Sequence, residues 1–532
     1  MKKLAWALPV LSLLVVLFWG ILWWPYTVDD SYITYRYSLN TAKGLGAVFN
    51  PGERVEGYSS PLWMVVLALT TWAGLDPVPV SKVLGLGAAL ALVWIFGAAL
   101  RRWGVEPWIA GFAMLWLATT PTLHVYSSSG METLWFALAV AAAALLPAGT
   151  AAPGARAWWI GIGIVTVPLL RPEGILVAGL LTLLWVIQYR SHEARLALLA
   201  AWLVLAGWFV WRFSYYGAWL PNTFVAKPSP IIRTFAGGHL GFGAFKLFDS
   251  LRDNLLPALA EQGGTLALFL VLAALALKRE VGALWSAALA AAAGTFFVVY
   301  ARSDWMLGFR FAIPFAAPFL FLAALGADGL RERMRGPKGR GLGLLAAACV
   351  SWWCVWSTIQ TGEYLSRHGQ GTVNTAMNAE VYERIGKWLG ENSRPGDRLL
   401  AYEVGAVAYA SGIYIIDQHG LITPDVARIV QWAEGDYREI RIGKDRQTMD
   451  RIVEYCAAQR PEWFLLRTIR PLAVAPGGPV PAGIAMDAMQ NAVLDKIGDS
   501  MVFAEAFQMR PDSPHWKDDR YLLLRRRDAA GG

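Results

Sequence analysis

Residues 79–102 read PVSKVLGLGAALALVWIFGAALRR, an apolar run that is closed by the pair Arg101-Arg102. A helix needs about 20 predominantly apolar residues to cross the hydrocarbon core of a bilayer. Lysine and arginine are retained on the cytoplasmic side of a membrane. This stretch therefore predicts a transmembrane helix whose carboxyl end faces the cytoplasm.

The composition of the whole chain agrees with this interpretation. Of its 532 residues, 56% are hydrophobic and only 16% are charged, and 27 are tryptophan, a residue that favours the interface between bilayer and water. The net charge of +8 lies largely in short loops between apolar runs, so we expect no nucleic-acid partner. Three cysteines, two of them in an apolar run, form neither a disulfide framework nor a zinc-ligand pattern.

Further apolar runs predict a polytopic α-helical membrane protein with about eleven transmembrane helices. The run that follows Lys2-Lys3 lacks a small-residue cleavage site, so we interpret it as a retained first helix. The candidate spans are residues 4–24, 79–100, 107–122, 131–148, 157–171, 174–189, 196–213, 263–277, 281–300, 309–329 and 342–360.

Basic clusters assign the two sides of the bilayer. All the basic clusters lie on the cytoplasmic side, together with the amino terminus, only if residues 61–75 do not cross the bilayer. We therefore expect these residues to form a juxtamembrane helix within a first outer loop, residues 25–78. The odd number of spans places the chain after residue 360 outside the inner membrane of a bacterium.

Residues 361–532 differ in character from the spans. Strand-like runs at 398–402, 414–416, 463–466 and 521–524 alternate with helical patterns near 378–392 and 447–459, and residues 471–484 are typical of a loop. The sequence thus predicts a transmembrane domain, 1–360, and an extracytoplasmic α/β domain, 361–532.

Unusual polar residues collect on the predicted outer face, which points to a site there. Transfer of a group from a lipid phosphate needs a carboxylate to accept the proton of the acceptor and cations to stabilise the departing phosphate. Asp29 and Asp30 are candidates for the catalytic base. Candidates for binding the donor phosphate are Lys227, Arg310, Arg54 and Arg171, and Trp63 is a candidate guide for a polyprenyl tail. Candidate contacts with the sugar substrates are Tyr58, Glu132, Glu173, Asn222, Asp304 and His419.

These residues resemble a known group of enzymes. The first outer loop, from Asp29-Asp30-Ser31-Tyr32 to Asn50-Pro51-Gly52-Glu53 and Ser59-Ser60-Pro61-Leu62-Trp63, is similar to that of the bacterial GT-C glycosyltransferases. Within them it is most similar to the terminal β-(1→2)-arabinofuranosyltransferases of actinobacterial cell walls and their bacterial relatives. The resemblance extends to Gly130-Met131-Glu132-Thr133, Arg171-Pro172-Glu173-Gly174, Leu220-Pro221-Asn222-Thr223 and Asp304-Trp305-Met306.

The resemblance implies a GT-C fold, a polyprenyl-phosphate sugar as donor and inversion at the anomeric carbon. Arabinofuranose is the sugar that it favours, and the acceptor would be an extracytoplasmic glycan or glycoprotein. One departure is Ala301-Arg302-Ser303, where relatives often carry glycines; it bears on the local backbone shape and on the choice of sugar.

Structural roles compete with these functional ones. Asp29 and Asp30 could serve as helix-capping acids, Lys227 and Arg310 as snorkelling anchors, and Glu173 as a partner of Arg171. Two adjacent carboxylates could hold a divalent cation, but alone they form an incomplete site. A lipid-linked-sugar flippase, or a ligase that uses a polyprenyl-pyrophosphate glycan, is the alternative function.

Overall fold

In the computed structural model of this chain, the described residues are 2–146, 153–188, 190–227, 240–261, 264–276, 281–301, 306–333, 337–369, 379–431, 433, 437–468, 475–508 and 520–530. These ranges stop at Ala301 and resume at Met306, so they omit Arg302, Ser303, Asp304 and Trp305. The expected substrate contact of Asp304 therefore lies outside the described residues.

Helices dominate the first part of the chain, and a helix coincides with each of the predicted apolar segments. They are α1 (Lys2–Leu22), α2 (Asp29–Ala42), α3 (Pro61–Trp72), α4 (Pro77–Arg102), α5 (Pro107–Ala118), α6 (Pro121–Ser127), α7 (Thr133–Leu145), α8 (Pro153–Leu170), α9 (Gly174–Gln188), α10 (His192–Tyr216), α11 (Asn222–Ala226), α12 (Leu240–Ser250), α13 (Leu256–Glu261), α14 (Gly264–Ala276), α15 (Val281–Tyr300), α16 (Ala316–Arg333) and α17 (Pro337–Gly369).

The ends of α4 show how local chemistry sets these boundaries. The Asp76 carboxylate accepts a hydrogen bond of 2.9 Å from the Val78 backbone N–H, and Pro77 occupies the first helical position. Arg101 and Arg102 lie in the last turn, where positive charge complements the helix dipole. The apolar run between them is therefore held as one continuous helix.

Three helices of the described part are long and apolar enough to cross a bilayer: Pro77–Arg102, His192–Tyr216 and Ile313–Arg333. Seven shorter apolar helices accompany them, and α3 is one of these. These helices fit a membrane protein, whereas the number of crossings and the side on which each loop lies stay predictions.

The first outer loop contains a helix that the sequence did not reveal. We expected only the juxtamembrane helix, which forms as α3, but Asp29–Ala42 also folds into α2. This segment has no single apolar stripe, because polar and aromatic side chains alternate around it and most of them are buried. The helix packs against α3 and against the carboxyl-terminal part of the chain, so its partners are distant in sequence.

The carboxyl-terminal part, called here the tail, is built on a five-stranded mixed sheet of order β2-β1-β3-β5-β4. The first three strands are parallel, and the last two are antiparallel to their neighbours. The elements are α18 (Ala379–Asn392), β1 (Arg398–Ala401), α19 (Ala406–Ser411), β2 (Tyr414–Asp417), α20 (Pro424–Gln431), α21 (Tyr437–Arg441), α22 (Arg446–Ala458), β3 (Trp463–Thr468), α23 (Ala488–Ile497), β4 (Met501–Gln508), β5 (Arg520–Arg526) and α24 (Arg527–Ala530).

Four strands form where the sequence predicts them, and β4 is an addition.

The two faces of the sheet pack against different partners. On one face, Leu399, Ala401 and Tyr521 join a core shared with α2, α3 and α18. On the other, Leu400 and Phe464 pack against α20, α22 and α23. The alternation of side chains along β1 thus divides the tail into a face toward the first outer loop and a face away from it.

Long-range hydrogen bonds fasten the first outer loop to the tail. The buried Arg36 guanidinium donates to the carbonyl oxygens of Ala408 at 2.8 Å, Gly412 at 2.9 Å and Ile413 at 3.3 Å. The Asn50 side chain donates to the Ile415 carbonyl at 3.0 Å and accepts from the Ile415 N–H at 3.1 Å. Asn50 thereby satisfies the outer edge of β2, on which side no other strand of the described residues lies.

Candidate active site

Asp29, at the start of α2, binds the tail through both of its carboxylate oxygens. Oδ1 accepts a hydrogen bond of 2.8 Å from the Ala406 N–H, and Oδ2 accepts one of 3.1 Å from the Gly405 N–H. Position 405 needs glycine, because a Cβ there would lie 2.1 Å from the Asp29 carbonyl oxygen. Asp29 is the first residue of α2, and its side chain also caps the amino end of α19, a helix of the tail.

Asp30 is placed differently, although it is the next residue. Its side chain is partly exposed, and no donor in the described part of the chain hydrogen-bonds to its carboxylate. It lies in the first turn of α2, where the helix dipole stabilises negative charge. The structure thus separates the pair into one carboxylate that is occupied by backbone and one that is open to a ligand.

The protonation of Asp29 is affected by its surroundings. Burial raises its pKa to about 7, the N–H groups of Ala406 and Gly405 oppose this rise, and the charges of Asp30 and Glu403 add to it. A carboxyl group in the unfolded chain has a pKa near 3.8. Between these two values the folded chain retains a proton that the unfolded chain has released.

We expect Asp29 to lower the stability of the folded chain as the pH rises from about 4 to 7, because the folded state binds the extra proton in this window. Thermal unfolding of the detergent-solubilised protein across this range measures the effect. In Asp29→Asn the midpoint should fall less steeply with pH than in the wild type. Asp76→Asn, a change at an exposed cap, is the matched control. Equal slopes in Asp29→Asn and wild type would contradict this assignment.

A second cluster gathers three of the predicted site residues. The buried Arg171 guanidinium donates to Glu132 Oε1 at 2.5 Å and also pairs with Glu173. The Phe311 ring centre lies 5.5 Å from this guanidinium and 4.9 Å from that of Arg310. Two carboxylates thus balance the charge of Arg171, and Arg310 stacks on the same ring.

Other predicted residues lie where α11 meets the tail. The Asn222 amide donates to the carbonyl oxygens of Gly420 at 2.6 Å and Leu421 at 3.1 Å. Asp417 accepts hydrogen bonds from three backbone N–H groups of the same turn. Lys227 is exposed, and its charge acts on Asp417. Asn222 thus joins α11, the helix that Lys227 follows, to the tail.

Tyr58 and Trp63 are buried rather than exposed to substrate. The Tyr58 hydroxyl lies 3.0 Å from that of Tyr216, and Trp63 Nε1 donates to the Gly130 carbonyl at 3.2 Å. The structure corrects the expected lipid contact of Trp63, because its position on α3 turns it into the protein. Leu69 and Trp72 instead carry the exposed face of that helix, with Trp72 76% exposed.

Arg54 and His419 stack on aromatic rings at separate places. The exposed Arg54 guanidinium lies 4.7 Å from the centre of the Tyr215 ring. His419 stacks on Tyr402, whose ring packs on the sheet face away from the first outer loop. Arg54 remains accessible on the loop, whereas His419 is associated with the far face of the tail.

A buried ion pair, which was not predicted from the sequence, joins Arg212, near the end of α10, to Glu56. Both side chains are almost fully buried, and Glu56 also fixes α11 through its carbonyl oxygen, which accepts from the Asn222 N–H at 2.8 Å. A basic residue inside an apolar run requires a partner. The position of Arg212 inside the predicted span 196–213 therefore indicated that it needs an acidic partner, which the structure shows to be Glu56.

Glu261 was also missed. Its Oε1 accepts a hydrogen bond of 2.9 Å from the Thr122 N–H and a shorter one from the Thr122 hydroxyl. That hydroxyl in turn accepts from the Phe309 N–H at 3.0 Å. Glu261 and Thr122 thus hold the loop that carries Arg310, and no sequence pattern indicated this connection.

The described residues provide no set of ligands for a divalent cation. Among the described residues, no group of three or more histidine, cysteine, aspartate or glutamate side chains is arranged to hold a metal ion. Asp29 is moreover engaged by two backbone N–H groups, which compete with a cation for its oxygens.

Comparison with known proteins gives matches to different parts of the chain. Residues 371–516 match a family described as a domain of unknown function (DUF8728). A terminal beta-(1->2)-arabinofuranosyltransferase of Mycobacterium tuberculosis is 29% identical over 243 residues, which cover 41% of this chain and 38% of that protein. The match thus spans well under two thirds of the curated relative.

Two solved structures resemble the fold over most of the chain. ArnT from Cupriavidus metallidurans bound to undecaprenyl phosphate has a TM-score of 0.52 at 14% identity and covers 97% of both chains. The oligosaccharyltransferase of Archaeoglobus fulgidus in complex with Zn and sulfate has a TM-score of 0.53 at 13% identity, and covers 86% of this chain and 67% of its own. This likeness and the apolar helices fit the predicted membrane GT-C fold, whereas the number of crossings and the assignment of the tail as a separate domain stay predictions.

Proposed function

We propose that this chain is an inverting glycosyltransferase that moves a sugar from a polyprenyl-phosphate donor to an extracytoplasmic glycan or glycoprotein. The observation that carries the proposal is the division of the aspartate pair, in which Asp29 binds the tail and Asp30 keeps an open carboxylate. The GT-C fold and the similarity to an arabinofuranosyltransferase support this class of reaction.

Asp30 acts as the general base in this proposal. The acceptor hydroxyl attacks the anomeric carbon of the donor, and its proton passes to the Asp30 carboxylate as the new glycosidic bond forms. The bond between the anomeric carbon and the phosphate oxygen breaks on the opposite side, which inverts the configuration. The polyprenyl phosphate leaves with the bonding electrons and needs no strong acid.

Cations near the outer loops stabilise the phosphate as it gains charge. Arg310, Lys227 and Arg54 are the proposed contacts, because Lys227 and Arg54 are exposed and Arg310 stacks on Phe311 in a predicted outer loop. Arg171 is excluded from this set, since Glu132 and Glu173 already neutralise it. Arabinofuranose is the proposed sugar, on the strength of the curated relative.

A transfer assay with the purified protein tests the function. Synthetic polyprenyl-phosphate arabinofuranose and the corresponding polyprenyl-phosphate hexoses are offered with an octyl arabinofuranoside acceptor, and products are analysed by mass spectrometry. We expect a disaccharide product of inverted configuration from a monophosphate donor. Transfer only from a polyprenyl-pyrophosphate oligosaccharide would instead favour a ligase, and lipid translocation in vesicles without any transfer would favour a flippase.

A further inference from the structure

One carboxylate of the tail lies beside the aspartate pair and has no role in the function described above. Glu403 lies two residues after the end of β1 and two residues before Gly405, whose N–H binds Asp29. The charge of Glu403 contributes to the raised pKa of Asp29, so the two carboxyl groups lie within electrostatic range of each other. The tail thus brings a third acid to the start of α2.

The position of Glu403 follows from the sheet. Leu399 and Ala401 point to the face that meets the first outer loop, and Leu400 and Tyr402 point to the other face. Continued alternation places the Glu403 side chain on the side of the outer loop. Ligands of open α/β sheets bind outside the carboxyl ends of parallel strands, and Glu403 occupies that edge.

One phenol, which is itself hydrogen-bonded to a second phenol, fixes one oxygen of this carboxylate. The Tyr521 hydroxyl donates to Glu403 Oε1 at 3.1 Å and lies 2.7 Å from the Tyr382 hydroxyl. Both tyrosines are fully buried and belong to the core shared with α2. This support holds the carboxylate in one orientation before any ligand binds, which lowers the entropic cost of binding.

The other oxygen of Glu403 lacks a hydrogen-bond donor among the residues that the structure describes. Oε2 is buried, although the residue as a whole keeps part of its surface exposed. Burial raises the pKa of Glu403 to about 7, while the charge of Arg467 opposes that rise. A buried carboxylate oxygen without a donor is costly, and a hydroxyl group from a bound molecule would remove that cost.

We propose that Glu403 binds a hydroxyl group of the acceptor sugar and thereby holds the acceptor against Asp30. This inference rests on the proposed glycosyltransferase function and assigns the acceptor subsite to the junction between the tail and α2. It also replaces His419, which stacks on Tyr402 on the far face, as the residue of the tail that contacts substrate.

The test compares Glu403→Gln with the wild type in both acceptor binding and transfer. The acceptor probe is octyl arabinofuranoside, and its binding is measured by ligand-observed NMR. We expect the acceptor KM and the dissociation constant to rise about 10- to 100-fold, as for loss of a hydrogen bond to a charged group. The KM of the donor should change by less than about twofold. Tyr521→Phe, which removes the orienting donor, should give a smaller change in the same direction.

Glu454→Gln is the control, because this glutamate is largely exposed on α22, on the other face of the sheet. Acceptor binding and KM in Glu403→Gln that match those of Glu454→Gln would overturn the inference, as would an equal rise in the KM of the donor. If the wild type binds the probe in a Glu403-dependent way but transfers no sugar, the proposed function fails while the subsite stands. If the wild type neither binds the probe nor transfers, both proposals fail.

Discussion

Replacing Asp30 by asparagine should lower kcat by about 10²- to 10⁴-fold, the contribution of a positioned general base. Asparagine has almost the same size and shape but does not accept the proton of an attacking hydroxyl. The side chain is partly exposed and receives no hydrogen bond from the described residues, so the exchange should leave folding intact. Initial rates of sugar transfer from a polyprenyl-phosphate donor measure the loss.

The matched comparison is Asp29→Asn. An asparagine at position 29 can still accept one of the two backbone hydrogen bonds from Gly405 and Ala406, so a weakened junction with the tail is expected. Its kcat should therefore fall far less than that of Asp30→Asn, and Asp76→Asn should retain the wild-type rate. If Asp29→Asn were inactive and Asp30→Asn active, the roles assigned to the two aspartates would be reversed.

The second large effect is expected for stability and concerns Arg171. Arg171→Met removes the guanidinium that pairs with both Glu132 and Glu173 and leaves the two buried carboxylates without it. Breaking a buried ion pair from one side typically costs about 3–5 kcal/mol, because the remaining charge is uncompensated. We expect a clear fall in the thermal midpoint, measured in detergent by loss of the monodisperse size-exclusion peak.

A compensated variant distinguishes this structural role from a contact with the donor phosphate. Arg171→Met combined with Glu132→Gln and Glu173→Gln has no buried unpaired charge, so the midpoint should recover much of its fall. The KM of the donor in this variant should stay near that of the wild type if the cluster only supports the fold. A stable triple variant with a greatly raised donor KM would show that Arg171 binds phosphate.

The pattern of hydropathy was enough to predict many of the helices and strands, because the length of an apolar run and the alternation along a strand are local properties of the sequence. The α4 segment and the runs that become β1 and β3 fold as predicted. By contrast, α2 is stabilised by partners such as Ala408 and Gly412, which follow hundreds of residues later. The strand β4 was missed because its pattern of burial is irregular, with most of its residues half-buried.

The candidate site shows the same limit at the level of single residues. The sequence indicated Asp29 and Asp30 as a pair of candidate catalytic residues. Their surroundings differ because the N–H groups of Gly405 and Ala406 bind the carboxylate of Asp29. Backbone donors have no side-chain signature, so no pattern could have assigned them. Glu403 did carry a signal, since an acid directly after the predicted strand 398–402 lies at the edge of a sheet where ligands bind.

The bonds of Arg36 have a consequence for how the protein is made. This residue and Ala408, whose carbonyl it binds, are 372 positions apart in the chain. At about 5–20 residues per second, a ribosome needs on the order of half a minute to synthesise the intervening segment. Throughout that interval the first outer loop has emerged without the partners of Arg36, Asn50 and Asp29. Its mature shape is therefore among the last features to form during biogenesis, and a truncated chain would expose it to quality-control proteases.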